Sequence, residues 1–171
     1  MRSFLLDALR KGKATIKPPT PDGDALAELA RALGERARRR LGRSLAIREI
    51  DAGSCNGCEL EIHAINNPVY DVERFGLKFV ASPRHADVLL VTGPVTWNMR
   101  EALLRTYNAA PEPKWVVALG DCATNCGVFA GSPAVVGPLA EILPVDLHVP
   151  GCPPRPLDIV KALLALIEAQ A

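Results

Sequence analysis

The apolar pattern changes character near residue 45 and divides the chain in two. Before that point polar positions dominate. Residues 2–10 (RSFLLDALR) place Phe4, Leu5, Ala8 and Leu9 on one face of a short amphipathic segment. The run Lys17-Pro18-Pro19-Thr20-Pro21-Asp22-Gly23 then acts as an extended breaker, because three prolines fix φ and remove backbone donors. Beyond it the spacing predicts a helix from near Asp24 to about Leu41. Ala25, Leu29, Ala32 and Leu33 form its apolar stripe, and Gly42 is its stop. With so little core of its own, this N-terminal arm (residues 1–44) is expected to dock on another subunit.

From residue 45 the pattern becomes strand and helix in alternation. LAIREID (45–51) reads as a strand, and a helix starts between Cys55 and about Asn66. LKFVA (77–81) is a second strand. ADVLLVTG (86–93) and WVVALG (115–120) are near-continuous apolar runs, as strands buried on both faces require. Residues 97–109 fit a helix with Met99, Leu103, Leu104 and Tyr107 inward. VDLHV (145–149) is a short strand, and residues 156–169 close the chain as a helix with Pro156 in its first turn. Residues 45–171 therefore predict a parallel sheet covered on both faces, a three-layer α/β/α domain. No internal repeat is visible.

Composition sharpens this in two places. Aromatic residues make up only 5%, so the core must be built from Val, Leu, Ile and Ala. The net charge of +1 hides an asymmetry, because residues 1–50 carry twelve Lys/Arg against six Asp/Glu. A basic arm on a mildly acidic body predicts an anionic or acidic partner for the arm, or a solvated face at its helix end. No nucleic-acid partner is expected. No window of 18 apolar residues occurs, so the chain is not expected to span a membrane. MRSFLLDALRKGK is too short and too interrupted for a secretory signal, and Arg38-Arg39-Arg40 is followed by no hydrophobic stretch. A cytoplasmic setting is expected, and there five cysteines point to metal or redox chemistry rather than disulfides.

The cysteines fall where loops should be. Sites in open parallel sheets form at the carboxyl ends of strands. Cys55 and Cys58 follow the first core strand, Cys122 follows WVVALG, and Cys152 follows VDLHV. If those strands are parallel, the three loops open on one edge and their sulfurs can converge. A 4Fe–4S cluster needs four thiolates on tightly turned backbone, and Cys55-x-x-Cys58 supplies two from one turn. Two other readings remain. A thioredoxin-like pair would use Cys55 and Cys58 alone and leave Cys122 and Cys152 idle. Structural zinc would need two close pairs, which the long gaps after Cys58 fit poorly. Cys126 lies four residues after Cys122. Cys122 directly follows the strand-end Gly-Asp and is read as the ligand, with Cys126 a spare thiol or substitute.

Five motifs together carry a family resemblance: DAGSCNGCELEI, NPVYDVERFG, SPRHADVLLVTGPVT, the GDCA loop and VPGCPPRP. Over about residues 45–170 the chain resembles the small electron-transfer subunit shared by membrane-bound NiFe hydrogenases, formate hydrogenlyases and respiratory complex I. The resemblance implies a flavodoxin-like fold holding one 4Fe–4S cluster on Cys55, Cys58, Cys122 and Cys152. It also implies catalysis shared with a separate large subunit, with no catalytic residue in this chain. A ferredoxin-like iron–sulfur subunit and membrane subunits are the other implied partners. The complex would sit peripherally on the cytoplasmic side of the cell membrane. Complex I members carry adjacent cysteines at the first pair, and the spaced pair here is similar to the hydrogenase branch. In the complex I case the chain would be the B-type subunit and would help shape a quinone site.

Some charged residues are secondary candidates. Glu59, Glu61 and His63 could tune the cluster or relay protons, or simply complement the helix N-terminus. Arg84, His85 and Asp87 read as loop scaffolding or subunit contacts. Arg74 and Arg155 could offset cluster charge.

Overall fold

The structure is a computed structural model and describes residues 23–169; the amphipathic segment at 2–10 and most of the proline-rich breaker lie outside the described residues. In chain order the first elements are α1 (Gly23–Leu41), β1 (Leu45–Asp51) and α2 (Gly57–Ile65). A 3-10 turn (Val72–Phe75) leads into β2 (Leu77–Phe79), and β3 (Val88–Thr92), β4 (Val95–Thr96) and α3 (Trp97–Ala109) follow. The rest is β5 (Trp115–Leu119), α4 (Asp121–Asn125), β6 (Val135–Gly137), β7 (Leu147–Val149) and α5 (Pro156–Ala169).

Five strands form one parallel sheet in the order β2-β1-β3-β5-β7. Counted along the chain, this is the flavodoxin-like order 2-1-3-4-5, whose switch point lies between its first and third strands. β3 and β5 run in direct register from Val88 opposite Trp115 to Thr92 opposite Leu119, and every residue of both is buried. Period-two alternation then splits them between two cores. Val88, Leu90, Val117 and Leu119 meet α1, α2 and α5 on one face. Leu89, Val91, Val116 and Ala118 meet α3 and α4 on the other. These are the three layers expected.

α1 runs as expected, but its buried stripe is Ala30, Leu33 and Ala37 rather than one through Ala25 and Ala32. Those positions join the core with α5, and Arg36 pairs with Glu168 across the two helices. The apolar face of this helix is thus used within the chain. Gly34 explains part of the geometry, since a side chain there would collide with the Phe75 backbone oxygen.

Two strands begin later than their apolar runs suggest, for a shared reason. Asp87 turns its carboxylate to Arg43 and the Ala46 N–H before β3 starts. Asp146 exchanges bonds with Val116 through its backbone N–H and its carboxylate before β7 starts. In α3 only Leu103 is fully buried, while Leu104 and Tyr107 are partly so. The small antiparallel β4–β6 pair and the single turn of α4 have no counterpart in the sequence pattern.

Candidate metal centre

The carboxyl ends of β1, β5 and β7 gather three loops on one edge of the sheet. The first loop is shaped by Asp51, whose Oδ1 accepts from the Gly53 and Ser54 N–H groups at 2.8 and 2.7 Å. Ser54 Oγ donates to Glu59 Oε2 at 2.6 Å and accepts from the Asn56 N–H at 2.9 Å. Asn56 adopts a left-handed conformation (φ 72°), and α2 starts at the next residue. The turn leaves Cys55 exposed and Cys58 buried one helical turn on. Thr96 fixes the loop from the β3 side, donating from both its N–H and Oγ1 to the Ala52 carbonyl.

The second and third loops are tied to each other. The Asp121 N–H donates to the Gly151 carbonyl at 2.9 Å, and the Gly151 N–H donates to Asp121 Oδ1 at 2.8 Å. Cys122 and Cys152 are the residues directly after this reciprocal pair, so their relative placement is fixed by it. Between them Gly120 (φ +88°) leaves a gap, since a Cβ there would stand 2.8 Å from the Cys58 Sγ. Only glycine meets both the positive φ and the close sulfur.

Electrostatics groups the same four thiols. Burial pushes Cys58 up to about 12, and Glu59, Cys122, Cys55 and Cys152 add to the shift in that order. Burial also raises Cys122, reinforced by Cys152 and then Cys55, while the Val128 N–H donated to its sulfur acts the other way. Cys126 is raised by burial and by Glu141, with no other cysteine contributing. Cys58 and Cys122 thus lie within the influence of Cys55 and Cys152, whereas no other cysteine influences Cys126. Among the described residues, no three His, Cys, Asp or Glu side chains gather closely enough to hold a single ion. The four thiols come from three loops at one sheet edge, with Cys58 and Cys122 buried and Cys55 and Cys152 exposed. Four thiols are, in type and number, the donor set that a 4Fe–4S cluster takes.

The secondary candidates separate. Glu59 braces the ligand loop through Ser54, and its Oε1 is buried without a partner, as are Glu49 Oε1 and Arg48 Nε around a cavity of about 320 Å³ that His63 also lines. Burial raises the Glu49 carboxyl, with Glu59 and then Asp51 adding to it. Arg155 is fully exposed and pairs with Asp158. Arg74 lies over the Phe75 ring and pairs with Asp71, just before β2 begins at the opposite edge of the sheet, so it is not beside the cysteines. Asp51, Asp121 and Gly120 were not singled out by sequence reasoning. An Asp at a strand end followed by small residues is the signal that could have marked the first two.

Residues 55–166 match the family described as NADH ubiquinone oxidoreductase, 20 Kd subunit. The chain belongs to that family. A probable membrane-bound hydrogenase subunit of Pyrococcus furiosus is 50% identical over 131 residues, which cover 77% of this chain and 78% of that protein. Formate hydrogenlyase subunit 7 of Escherichia coli is 48% identical over 118 residues, 69% of this chain and 46% of that protein. The B-type subunit of NADH-quinone oxidoreductase from Heliobacterium modesticaldum is 44% identical over 110 residues, 64% of this chain and 63% of that one. Among solved structures, an archaeal membrane-bound sulfane sulfur reductase contains a chain with TM-score 0.66 and 35% identity, covering 80% of this chain and 74% of that one. A chain of an NAD+-reducing NiFe hydrogenase superposes with TM-score 0.60 at 24% identity, over 74% of this chain and 93% of that one, and shares the fold. Members of the 20 Kd family are thus found in both hydrogenase and quinone-reductase assemblies. No helix among the described residues of this member is long and apolar enough to cross a membrane.

Proposed function

We propose that this chain is the electron-transfer subunit of a membrane-associated oxidoreductase, holding one 4Fe–4S cluster on Cys55, Cys58, Cys122 and Cys152. The observation that carries the reading is the meeting of four thiols from three loops on one sheet edge, with Cys126 left out. The bound cluster supplies one-electron transfer; the chain supplies the setting. Asp51, Asp121 and Gly120 hold the loops, and the burial of Cys58 and Cys122 keeps water from the inner side. Cys55 and Cys152 stay exposed, so the site opens outward. Leu60 follows the first of these loops and Val128 lies in the second, exposed by 60% and 80%, while Trp97, exposed by 61%, follows Thr96, which bonds the first loop at Ala52. Apolar side chains around an open metal site suit a large catalytic subunit seated over it.

Within this reading the hydrogenase branch is favoured by the spaced Cys55-x-x-Cys58 pair, with the membrane-bound hydrogenase and formate hydrogenlyase relatives in support. A ferredoxin-like partner would continue the electron path, and the assembly would sit on the cytoplasmic side of the membrane. The alternative is a B-type subunit of a quinone reductase.

The test is elemental analysis and electron paramagnetic resonance of the assembly, purified anaerobically through a tag on this chain. More than four irons per chain together with stoichiometric nickel is the expected result, four from this chain's cluster and the rest from the nickel centre and the ferredoxin-like partner. Iron without nickel would move the chain to the quinone-reductase branch. A colourless, iron-free protein whose activity survives loss of Cys122 or Cys152 would leave only a thiol–disulfide role for Cys55 and Cys58.

A further inference from the structure

The edge of the sheet opposite the cysteines carries a second concave feature, of contrasting charge. A cavity of about 530 Å³ opens beside the start of β1 and β2, lined by Arg43, Ser44, Lys78, Arg84 and His85 with no carboxylate in its wall. Three separate stretches of chain bring these groups together. Arg43 and Ser44 precede β1, Lys78 is the exposed residue of β2, and Arg84 and His85 occupy the 3-10 turn before β3. The pairing of Ala46 with Lys78 and the Asp87 N–H bond to the Ala46 carbonyl fix their register.

The charges are unequally committed. Arg43 directs two of its N–H groups to the buried Asp87 at 2.8 and 2.6 Å, which holds the guanidinium rigid and cancels its charge. A guanidinium has five N–H donors, so three remain to face the cavity. Lys78, Arg84 and His85 are exposed and make no ion pair or hydrogen bond through their side chains among the described residues. Arg38 approaches from a neighbouring cavity, since the empty Cβ position of Gly76 lies within 4 Å of both Arg38 Nε and Ser44 Oγ. Two uncompensated fixed positive charges, a held guanidinium and a hydroxyl therefore converge on a recess of ordinary small-ligand size.

We propose that this recess is an anion site for a phosphate monoester group. A dianionic phosphate matches the two free charges of Lys78 and Arg84, and its oxygens suit the donors of Arg43 and Ser44. The concavity favours a small phosphate over a flat acidic protein surface. The group can be met in solution or on a lipid headgroup, and the same donors serve both. The site is argued independently of the cluster, since none of the proposed cluster ligands lines the recess.

The test follows backbone amide signals of the full chain by NMR during titration with inorganic phosphate at low ionic strength. A parallel arm measures co-sedimentation with phosphatidylcholine vesicles, with and without phosphatidic acid. The expected result is saturable shifts confined to residues 43–46 and 78–86, weakened at least tenfold by Lys78→Glu with Arg84→Glu. The same charge change on α3, Arg100→Glu with Arg105→Glu, should alter affinity less than twofold. Binding of free phosphate alone identifies a soluble ligand, and added capture by phosphatidic acid vesicles identifies a headgroup. Absence of binding in both arms overturns the proposal, as does binding equally weakened by the α3 pair, which would reveal only a diffuse charge effect.

Discussion

Cys122 and Cys126 stand four positions apart in one short loop and differ in what surrounds them. The Cys122 sulfur receives the Val128 N–H and is influenced by Cys152 and Cys55. Cys126 sits in a left-handed conformation (φ 68°) with Glu141 as its charged neighbour. None of the other cysteines is among the influences on Cys126, which sets it apart from Cys122. Cys126→Ser should therefore leave iron content and the paramagnetic signal of the reduced protein unchanged, whereas Cys122→Ser should lower both. The reverse result, from metal analysis of both variants, would exchange the two residues in the ligand set. Sequence spacing alone left Cys126 open as a substitute. What separates the two is the turn of α4, and five residues are too few for periodicity to reveal.

At the scale of elements, the Asp121–Gly151 pair joins the start of α4 to the loop after β7. Removing the acceptor leaves a partly buried Gly151 N–H without its partner, at a cost of about 1–3 kcal/mol. Asp121→Ala should therefore lower the unfolding midpoint and the iron content together. Asp121→Asn keeps an oxygen acceptor and should restore most of both. If Ala and Asn behave alike, the charge matters and the bond does not. α1 makes a different demand, because its fully buried Leu33 lies in the core with α5. Leu33→Ala should destabilise by about 2–5 kcal/mol in denaturant unfolding, without altering the cysteine loops. A value near zero would mean that α1 is a loosely held arm. The sequence predicted this helix almost to the residue but placed its apolar stripe differently. Alanine at 25, 30, 32 and 37 carries too little hydrophobic contrast to show which face turns inward. The strands were more legible because Val, Leu and Ile fill both faces of β3 and β5, and that pattern requires cover on each side.

For the molecule as a whole, the two ends of one sheet hold opposite chemistry. Four thiols gather at the carboxyl edge, and cationic side chains line a recess at the other. The cysteine end was legible because parallel strands force their following loops onto one edge. The basic recess was not, because Arg43, Lys78 and Arg84 are brought together only by strand register. The two hydrophobic cores between these ends are aliphatic, and Cys58 is the one proposed ligand that belongs to either. The fold therefore has most of its buried surface independent of the proposed cluster, unlike small domains that fold only around a metal. Removing iron anaerobically with a chelator under reducing conditions should leave far-UV circular dichroism nearly unchanged and unfolding still cooperative. The midpoint should fall, because a ligand bound only to the native state no longer stabilises it. Faster amide exchange should be confined to residues 52–58, 120–129 and 150–155, while β3 and β5 keep their protection. An apo-protein that loses its secondary structure outright would show instead that the cluster, and not the aliphatic core, holds the sheet together.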